Sequence, residues 1–247
     1  MKKNVVIIDS GIGGLSLMPT FFKNLPFKKY VYFADNKNLP YGNKTKFELF
    51  KITINNIKYI EKKYKPFIIV FGCNTIGITI YEEICSMFPH LMIFSIKPNY
   101  ELINNEKAIL IATTATINKL KIICKDKPNL NLCKMPFLAT LIEENINNLN
   151  KTYHYIEMNL IKYSPNIIIL GCTHFYFIKS ILKNLFPNVY FIDGVEILTN
   201  KIKEFLSIFK YNYKSNKIKV KVKFTKKDKS KKEYIQIINS FLTKDKD

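Results

Sequence analysis

Two cysteines stand at equivalent points of two similar stretches, "FGCNTIGI" at residues 71–78 and "LGCTHFYF" at residues 170–177. Each one, Cys73 and Cys172, follows a short apolar run and precedes small polar residues. In an open parallel sheet, ligands bind beyond the carboxyl ends of the strands, where both thiols would then lie. Two thiols that face one cleft from opposite sides predict proton transfer to and from a single carbon atom.

The residues after each cysteine predict how the thiols are tuned. Asn74 and Thr75 follow the first cysteine, and Thr173 and His174 follow the second. Their amide, hydroxyl and helix-start N–H groups are expected to bind a carboxylate and to favour thiolate. A free cysteine of pKa about 8.5 is only a few per cent thiolate at neutral pH, so a productive pair needs one thiolate and one thiol.

Other chemistry fits the motifs less well. The "GIGG" of residues 11–14 follows a strand, but the dinucleotide fingerprint ends in Gly or Ala where this chain has Ser16. Cys172 has one neighbouring histidine, while His90 and His154 lie in unrelated segments, which is too few ligands for zinc. We therefore expect no metal and no cofactor. A tight turn explains the glycines, although their N–H groups could still hold a carboxylate.

Cysteine usage predicts a reducing environment. The chain of 247 residues has five cysteines, an odd number, with no C-x-x-C pair and no recognisable signal peptide. This argues against a secreted disulfide framework and favours the cytoplasm. Cys85, Cys124 and Cys133 are expected to be packing residues, because free cysteine is among the most buried residue types.

The strong positive charge does not by itself predict nucleic-acid binding. The net charge is +20, yet every one of the 39 basic residues is lysine. A protein that reads nucleic acid would be expected to use the bidentate fork of arginine. A lysine-rich protein that binds nucleic acid or a partner and has lost turnover is kept as the alternative from a different class.

Apolar runs of strand length alternate with helix-like segments. The runs lie at Val5–Ile8, Tyr30–Phe33, Phe67–Phe71, Ile109–Ala112, Ile167–Leu170 and Val189–Ile192. The clearest helix follows "YGNKT", with apolar residues at helical spacing: Phe47, Phe50, Ile54, Ile57 and Ile60. Alternating strands and helices predict an α/β fold, here two similar Rossmann-like parallel-sheet domains with the active site in the cleft between them.

The predicted domain boundary lies near "SIKPNY", residues 95–100, because Pro98 disfavours continuous regular structure. The first domain is expected to comprise residues 1–96 plus 208–247, and the second residues 97–207.

The C-terminal region carries two lysine-rich patterns. "KIKVKVKF", residues 217–224, alternates lysine with apolar residues and predicts an exposed edge strand, since lysine guards against edge pairing. "TKKDKSKKE", residues 225–233, predicts a solvated loop and the start of a helix.

Seven motifs in order give the chain a resemblance to the cofactor-independent aspartate/glutamate racemase family. They are "IDSGIGGLS" at 8–16, "ADNKNLPYGNK" at 34–44, "GCNT" at 72–75, "IKP" at 96–98, "IATTAT" at 111–116, "GCTH" at 171–174 and "IDG" at 192–194. The resemblance covers nearly the whole chain, and its C-terminal segment is also similar. "DSGIGG" together with "PYG" favours glutamate over aspartate or hydantoin, which remain the alternatives within the family.

The resemblance implies residue roles. Cys73 and Cys172 would be the two catalytic bases, one for each hand of the substrate, with Asp9 assisting the first and His174 the second. Matches to substrate-binding positions are Asp9, Ser10, Tyr41, Gly42, Asn74, Thr75, Thr113, Thr116, Thr173 and His174. The family also implies a glutamate substrate, D-glutamate made for peptidoglycan and no membrane partner, and it leaves a homodimer open.

Two stretches depart from the family pattern. "LCKMPFLATLIEEN" differs in spacing and composition, so the resemblance leaves open whether Glu143 is the carboxylate beside the site. In "IDGV", Gly194 stands where the family has serine. Neither change touches the cysteines.

Overall fold

The computed structural model of the chain describes residues 4–208, 218–226 and 231–243. The strands are β1 (Asn4–Asp9), β2 (Lys29–Ala34), β3 (Ile68–Phe71), β4 (Ile93–Ser95), β5 (Ala108–Ala112), β6 (Leu130–Lys134), β7 (Ile167–Leu170), β8 (Tyr190–Ile192) and β9 (Lys219–Phe224). The α-helices are α1 (Met18–Asn24), α2 (Lys46–Tyr64), α3 (Asn74–Thr79), α4 (Tyr81–Met87), α5 (Thr114–Ile123), α6 (Leu138–Glu144), α7 (Tyr153–Leu160), α8 (Lys179–Leu185), α9 (Val195–Ile208) and α10 (Lys231–Thr243). Short 3-10 helices span Gly13–Leu17, Tyr41–Asn43, Tyr100–Leu102, Leu149–Thr152 and Thr173–Ile178. None of the helices in the described ranges has both the length and the apolar character needed to cross a lipid bilayer.

The strands form two parallel sheets, which confirms the predicted α/β fold. One sheet has the order β4-β3-β1-β2-β9 and the other the order β6-β5-β7-β8. Strands β3 and β7 are buried at every residue. Continuous apolar strands of this kind are covered on both faces, which is why alternation between apolar and polar residues is missing from them.

All six strands predicted from apolar runs are present, but β4 and β6 were not predicted. Strand β4 has only three residues, too few to give a pattern. Strand β6 lies at the edge of its sheet, and two of its five residues, Asn131 and Lys134, are polar and exposed. Its sequence "LNLCK" therefore contains too few apolar residues to be recognised as a buried run.

Helix α2 begins where predicted, but its buried face differs from the predicted one. Thr45 and Glu48 form a reciprocal capping box at its first turn. Phe47, expected to face the core, is 65% exposed. Asn56 instead turns inward, because its amide donates to the carboxyl group of Asp35 at 2.9 Å. The buried face of α2 therefore includes Asn56 and leaves Phe47 outside it.

The proposed domain division stays a prediction. The first sheet draws its strands from residues 4–95 and 219–224, and the second from residues 108–192. Helix α9 contacts α1 and β4, which belong to the layers of the first sheet. We therefore propose to group α9 with the first domain, although the sequence assigned most of it to the second.

The C-terminal strand β9 lies at the edge of the first sheet beside β2, as its lysine pattern predicts. Lys219 and Lys221 are exposed. Lys217, the first residue of the predicted strand, and residues 227–230 of the predicted loop lie outside the described ranges. Helix α10 begins at Lys231, within the segment for which a helix start was expected.

One buried carboxyl group fastens this edge strand to the rest of the sheet. Asp35 is fully buried and accepts hydrogen bonds from the hydroxyl groups of Thr225 and Tyr41, each at 2.7 Å. The amide groups of Asn38 and Asn56 donate to it as well. Because Thr225 directly follows β9, its hydroxyl ties the C-terminal segment to the loop after β2.

We expect Thr225→Val to lower the free energy of unfolding by about 1–3 kcal/mol, since the variant keeps the shape and removes one donor to a buried acceptor. Chemical denaturation checks the value. Thr79→Val is the matched control, because the buried hydroxyl of Thr79 has no hydrogen-bond partner within the described part of the chain. Equal stability of Thr225→Val and the unmodified protein would contradict this role.

Candidate active site

The carboxyl ends of the central strands of the two sheets meet at one place. Cys73 follows β3 of the first sheet, and Cys172 follows β7 of the second. The hydroxyl of Thr173 donates to the carbonyl oxygen of Gly72 at 2.9 Å, although these residues are 101 positions apart. The two cysteine-bearing loops are therefore in direct contact, as the strand-end positions predicted.

Cys73 is a buried thiol at the start of helix α3. Burial raises its pKa well above the usual value, and the nearby Asp9 raises it further. The backbone N–H groups of Ile76 and Thr75 oppose this shift, as expected for a helix start, but they do not outweigh burial. The helix-start N–H groups thus favour thiolate, as expected, but burial raises the pKa of Cys73 by more than they lower it.

Asp9 ends strand β1 and lies buried behind the cysteine loops. Its Oδ1 accepts from the backbone N–H of Ser10 at 2.5 Å, its Oδ2 accepts from the N–H of Gly14, and the Thr173 hydroxyl lies 3.4 Å from Oδ2. Burial raises the pKa of Asp9 to about 6, even though His174 and the N–H group of Ser10 lower it. Near neutral pH, this carboxyl group can therefore change its charge when a ligand binds.

Cys172 and His174 form a buried pair at the end of β7. The imidazole Nδ1 lies 3.8 Å from the Cys172 sulfur, and Nε2 lies 2.7 Å from Oε2 of Glu143. Burial lowers the pKa of His174, but the hydrogen bonds to Cys172 and Glu143 outweigh it and leave the pKa well above 6.5. The imidazole of His174 therefore lies between the Cys172 sulfur and the Glu143 carboxylate and contacts both.

Glu143, which the sequence left open, is the carboxylate next to His174. Besides the histidine, it accepts from the backbone N–H of Ile12 at 3.0 Å and from the hydroxyl of Tyr234 at 2.9 Å. Burial raises the pKa of Glu143, but the hydrogen bond and charge of His174 and the N–H of Ile12 bring it below its usual value. Glu143 is therefore an ionised partner for a protonated His174.

The "GIGG" loop is explained by close packing against these side chains. A Cβ atom on Gly13 would lie 2.5 Å from Nδ1 of His174 and 2.6 Å from the hydroxyl of Thr173. A Cβ atom on Gly11 would collide with the carboxyl group of Glu143. Only glycine lets this loop approach the acid–base groups so closely. None of its glycines has a positive φ, so close packing and not the turn conformation explains them.

Three threonine hydroxyls join the two halves beside the cysteines. Thr75 of helix α3, Thr113 after β5 and Thr116 of helix α5 lie 3.1–3.2 Å from one another. Gly42 packs against Thr113, since a Cβ atom on it would lie 2.6 Å from the threonine Cβ. Hydroxyl groups arranged this way can reorient to donate to an anionic ligand.

The other residues matched to the family differ in how free their polar groups are. Asn74 is buried, and neither its amide oxygen nor its nitrogen has a partner within the described ranges. Ser10 is buried with its hydroxyl 3.4 Å from Asp9. The Tyr41 hydroxyl is engaged by Asp35, so from this residue a ligand has mainly the backbone to contact.

Sequence reasoning missed Tyr234, Tyr32 and Asp35 as supports of the site. The Tyr32 hydroxyl donates to the carbonyl oxygen of Gly11 at 2.6 Å and so holds the glycine loop. Asp35 and Tyr32 lie in the motif and strand that were recognised, but nothing in the sequence marked Tyr234 as close to Glu143. No group of three or more His, Cys, Asp or Glu side chains in the described ranges is arranged to hold a metal ion.

The chain is similar to curated proteins along most of its length. It is 34% identical over 260 residues to the glutamate racemase of Buchnera aphidicola subsp. Acyrthosiphon pisum (strain Tuc7), covering 91% of this chain and 96% of that protein. It is 30% identical over 242 residues to the glutamate racemase of Clostridium acetobutylicum, covering 92% and 94%. No family model matches the chain.

Solved structures share its fold. The glutamate racemase of Francisella tularensis, determined in complex with D-glutamate, has a TM-score of 0.81 at 23% identity and covers 98% of this chain and 94% of its own. The glutamate racemase of Escherichia coli, in complex with L-glutamate and an activator, has a TM-score of 0.81 at 18% identity and covers 98% and 96%. At these identities the likeness extends to the fold.

Proposed function

The chain belongs to the glutamate racemase family, and on that premise we propose that it interconverts L- and D-glutamate by proton transfer between Cys73, Cα of the substrate and Cys172. The observation that carries the proposal is the contact between the two cysteine loops at the strand ends, through the Thr173 hydroxyl and the Gly72 carbonyl. A glutamate molecule bound between the two loops would have Cys73 on one face of its Cα atom and Cys172 on the other.

The proton balance requires the two thiols in opposite states. In one direction the thiolate of Cys172 removes the α-proton, and the thiol of Cys73 delivers its own proton to the other face. The thiolate and thiol have then exchanged places, so the reverse reaction begins from the product state. Proton exchange with solvent resets the pair between turnovers.

The surroundings of the two cysteines suit Cys73 as the thiol that delivers a proton. Burial and Asp9 raise the pKa of Cys73, which favours its thiol form, and Nδ1 of His174 lies 3.8 Å from the Cys172 sulfur, within reach of the proton that this residue would take up. For the reverse direction Cys73 must lose its proton. We propose that glutamate binds with its α-ammonium group nearer to Cys73 and Asp9 than either of its carboxylates, because a positive charge close to these acids lowers their pKa.

Stabilisation of the carbanion would come from hydrogen-bond donors, since the proposal includes no cofactor. Donors fixed in a dry site act on charge that develops in the transition state and are worth far more there than in water. We propose that Asn74, Thr75 and Thr173, with Ser10, the Tyr41–Gly42 backbone and the threonines Thr113 and Thr116, bind the two carboxylates of glutamate. The unpartnered amide of Asn74 supports this role most directly.

The direct test is an assay of the purified protein with L-glutamate and with L-aspartate, without added cofactor, followed on a chiral column. Formation of D-glutamate at a much higher kcat/KM than D-aspartate supports the proposal. A higher kcat/KM for aspartate than for glutamate would identify the protein as an aspartate racemase. Salt-dependent DNA binding without racemisation of either amino acid would favour a nucleic-acid-binding protein.

We expect conversion of L-glutamate in heavy water to give D-glutamate that carries deuterium from the first turnover. The thiol on the delivering face has exchanged with solvent, whereas the abstracted protium stays on the opposite face. Residual L-glutamate at early conversion should still carry protium. Nuclear magnetic resonance of both pools checks this, and protium returned to the product would instead indicate one base that serves both faces.

We further propose that the protein acts in the cytoplasm and supplies D-glutamate for peptidoglycan. All five cysteines are free thiols, which agrees with a reducing compartment. Oxidants that join or modify Cys73 or Cys172 are expected to stop the reaction, because the thiolate form is needed on one side.

A further inference from the structure

Helix α10 reaches the acid–base centre through one hydroxyl group. Glu143 has three donors that come from separate parts of the chain: the N–H of Ile12 in the glycine loop, Nε2 of His174 after β7, and the hydroxyl of Tyr234 in α10. The tyrosine and the histidine use different oxygens of the carboxylate. Tyr234 thus occupies Oε1 and leaves Oε2 directed at the imidazole.

The position of Tyr234 is fixed by its packing. The side chain is 1% exposed. Its ring lies against Tyr32 of strand β2, with centroids 6.1 Å apart, and against Phe224 of strand β9 at 4.8 Å. A ring held on two sides by strands of the first sheet cannot move its hydroxyl away from Glu143 without repacking the core.

We propose that Tyr234 is a positioning residue for the racemase reaction, acting through Glu143 to hold the His174 imidazole against Cys172. The inference rests on the function proposed above. The hydroxyl of Tyr234 donates to Glu143, which contacts Nε2 of His174, and Nδ1 of the same imidazole lies 3.8 Å from the Cys172 sulfur, so this path connects α10 to the cysteine. The N–H of Ile12 lies 3.2 Å from Oε1 and 3.0 Å from Oε2 and so does not distinguish the two oxygens, whereas the Tyr234 hydroxyl contacts Oε1 and orients the carboxylate.

The test is a double-mutant cycle on the full chain. Tyr234→Phe removes one oxygen and keeps the ring contacts, and we expect kcat/KM for glutamate to fall about 10- to 100-fold, the effect of one hydrogen bond to a charged group. In the His174→Gln background the same change should have less than a twofold effect, because the histidine through which it acts is gone. An equal fall in both backgrounds would overturn the proposal and indicate a general packing effect.

Controls separate this proposal from the proposed function. Tyr30→Phe also removes a buried tyrosine hydroxyl, which lies 3.4 Å from the carbonyl oxygen of Phe21, and it should leave kcat/KM unchanged, because Tyr30 lies near the start of β2 and the site lies at the carboxyl ends of the strands. Circular dichroism and thermal unfolding verify that each variant is folded. If the unmodified protein fails to racemise glutamate, the proposed function is wrong. If it is active but Tyr234→Phe retains full kcat/KM, only the role of Tyr234 is wrong.

Discussion

Cys73→Ser and Cys172→Ser are each expected to lower kcat/KM for glutamate racemisation by about 10²–10⁴-fold, the usual contribution of a positioned proton-transfer group. A serine hydroxyl is a far weaker acid than a thiol, so its alkoxide is not populated at neutral pH. Both variants should fold and bind glutamate, because sulfur and oxygen differ little in size. Rates from chiral chromatography and binding from calorimetry check the two parts.

The two cysteines should act as a unit. Inversion needs removal of a proton on one face and delivery on the other, so loss of either thiol interrupts the same path. The double variant should therefore be little slower than the worse single variant, rather than slower by the product of both effects. Multiplicative losses would indicate that each cysteine works independently of the other.

The remaining cysteines provide matched controls. Cys133 is buried in strand β6 with its sulfur 3.8 Å from that of Met135, and Cys124 is buried at the end of α5. Their replacement by serine should alter the free energy of unfolding more than the rate. Cys85 is only partly buried and should behave in the same way. Loss of activity with an intact fold in these variants would show that the wrong cysteines were chosen.

The fold was largely predictable because most strands of a parallel sheet are short apolar runs that need no partner to be recognised. Strand β7, "IIIL", is such a run, and the glycine and cysteine after it mark its end. Strand β6 was missed because it is an edge strand whose exposed Asn131 and Lys134 interrupt the apolar run. Phe47 was misplaced because the inward turn of Asn56 depends on Asp35, a contact between different elements.

The sequence predicted those contacts of the site that join residues close together in the chain, and it did not predict the contacts between distant residues. His174 stands two residues from Cys172, so the pair is visible in one motif. Glu143 is 131 residues from Ile12, 31 from His174 and 91 from Tyr234 in the hydrogen bonds that define its role. The protonation of Cys73 was also beyond the sequence, because the desolvation that raises its pKa depends on the tertiary packing around it.

One constraint governs every variant of this site. L- and D-glutamate have equal free energies, so any substitution must lower kcat/KM by the same factor in both directions. Differences between the two sides of the site therefore appear in isotope effects. Suppose that proton transfer at one cysteine becomes slower. In the direction in which this cysteine removes the α-proton of the substrate, that removal limits the rate. In the other direction the same cysteine delivers a solvent-derived proton, and the delivery limits the rate.

His174→Gln and Asp9→Asn are accordingly expected to give mirror-image isotope effects, besides lowering kcat/KM by about 10²-fold each. With α-deuterated substrates, His174→Gln should increase the isotope effect on kcat/KM for the enantiomer that Cys172 deprotonates. It should decrease the isotope effect for the opposite enantiomer, because the imidazole of His174 lies against the Cys172 sulfur. Asp9→Asn should do the reverse, because Asp9 is the residue whose charge acts on Cys73. Competition between labelled and unlabelled L- and D-glutamate measures all four values. If both variants shift the isotope effects in the same sense, Asp9 and His174 do not serve opposite faces of the substrate.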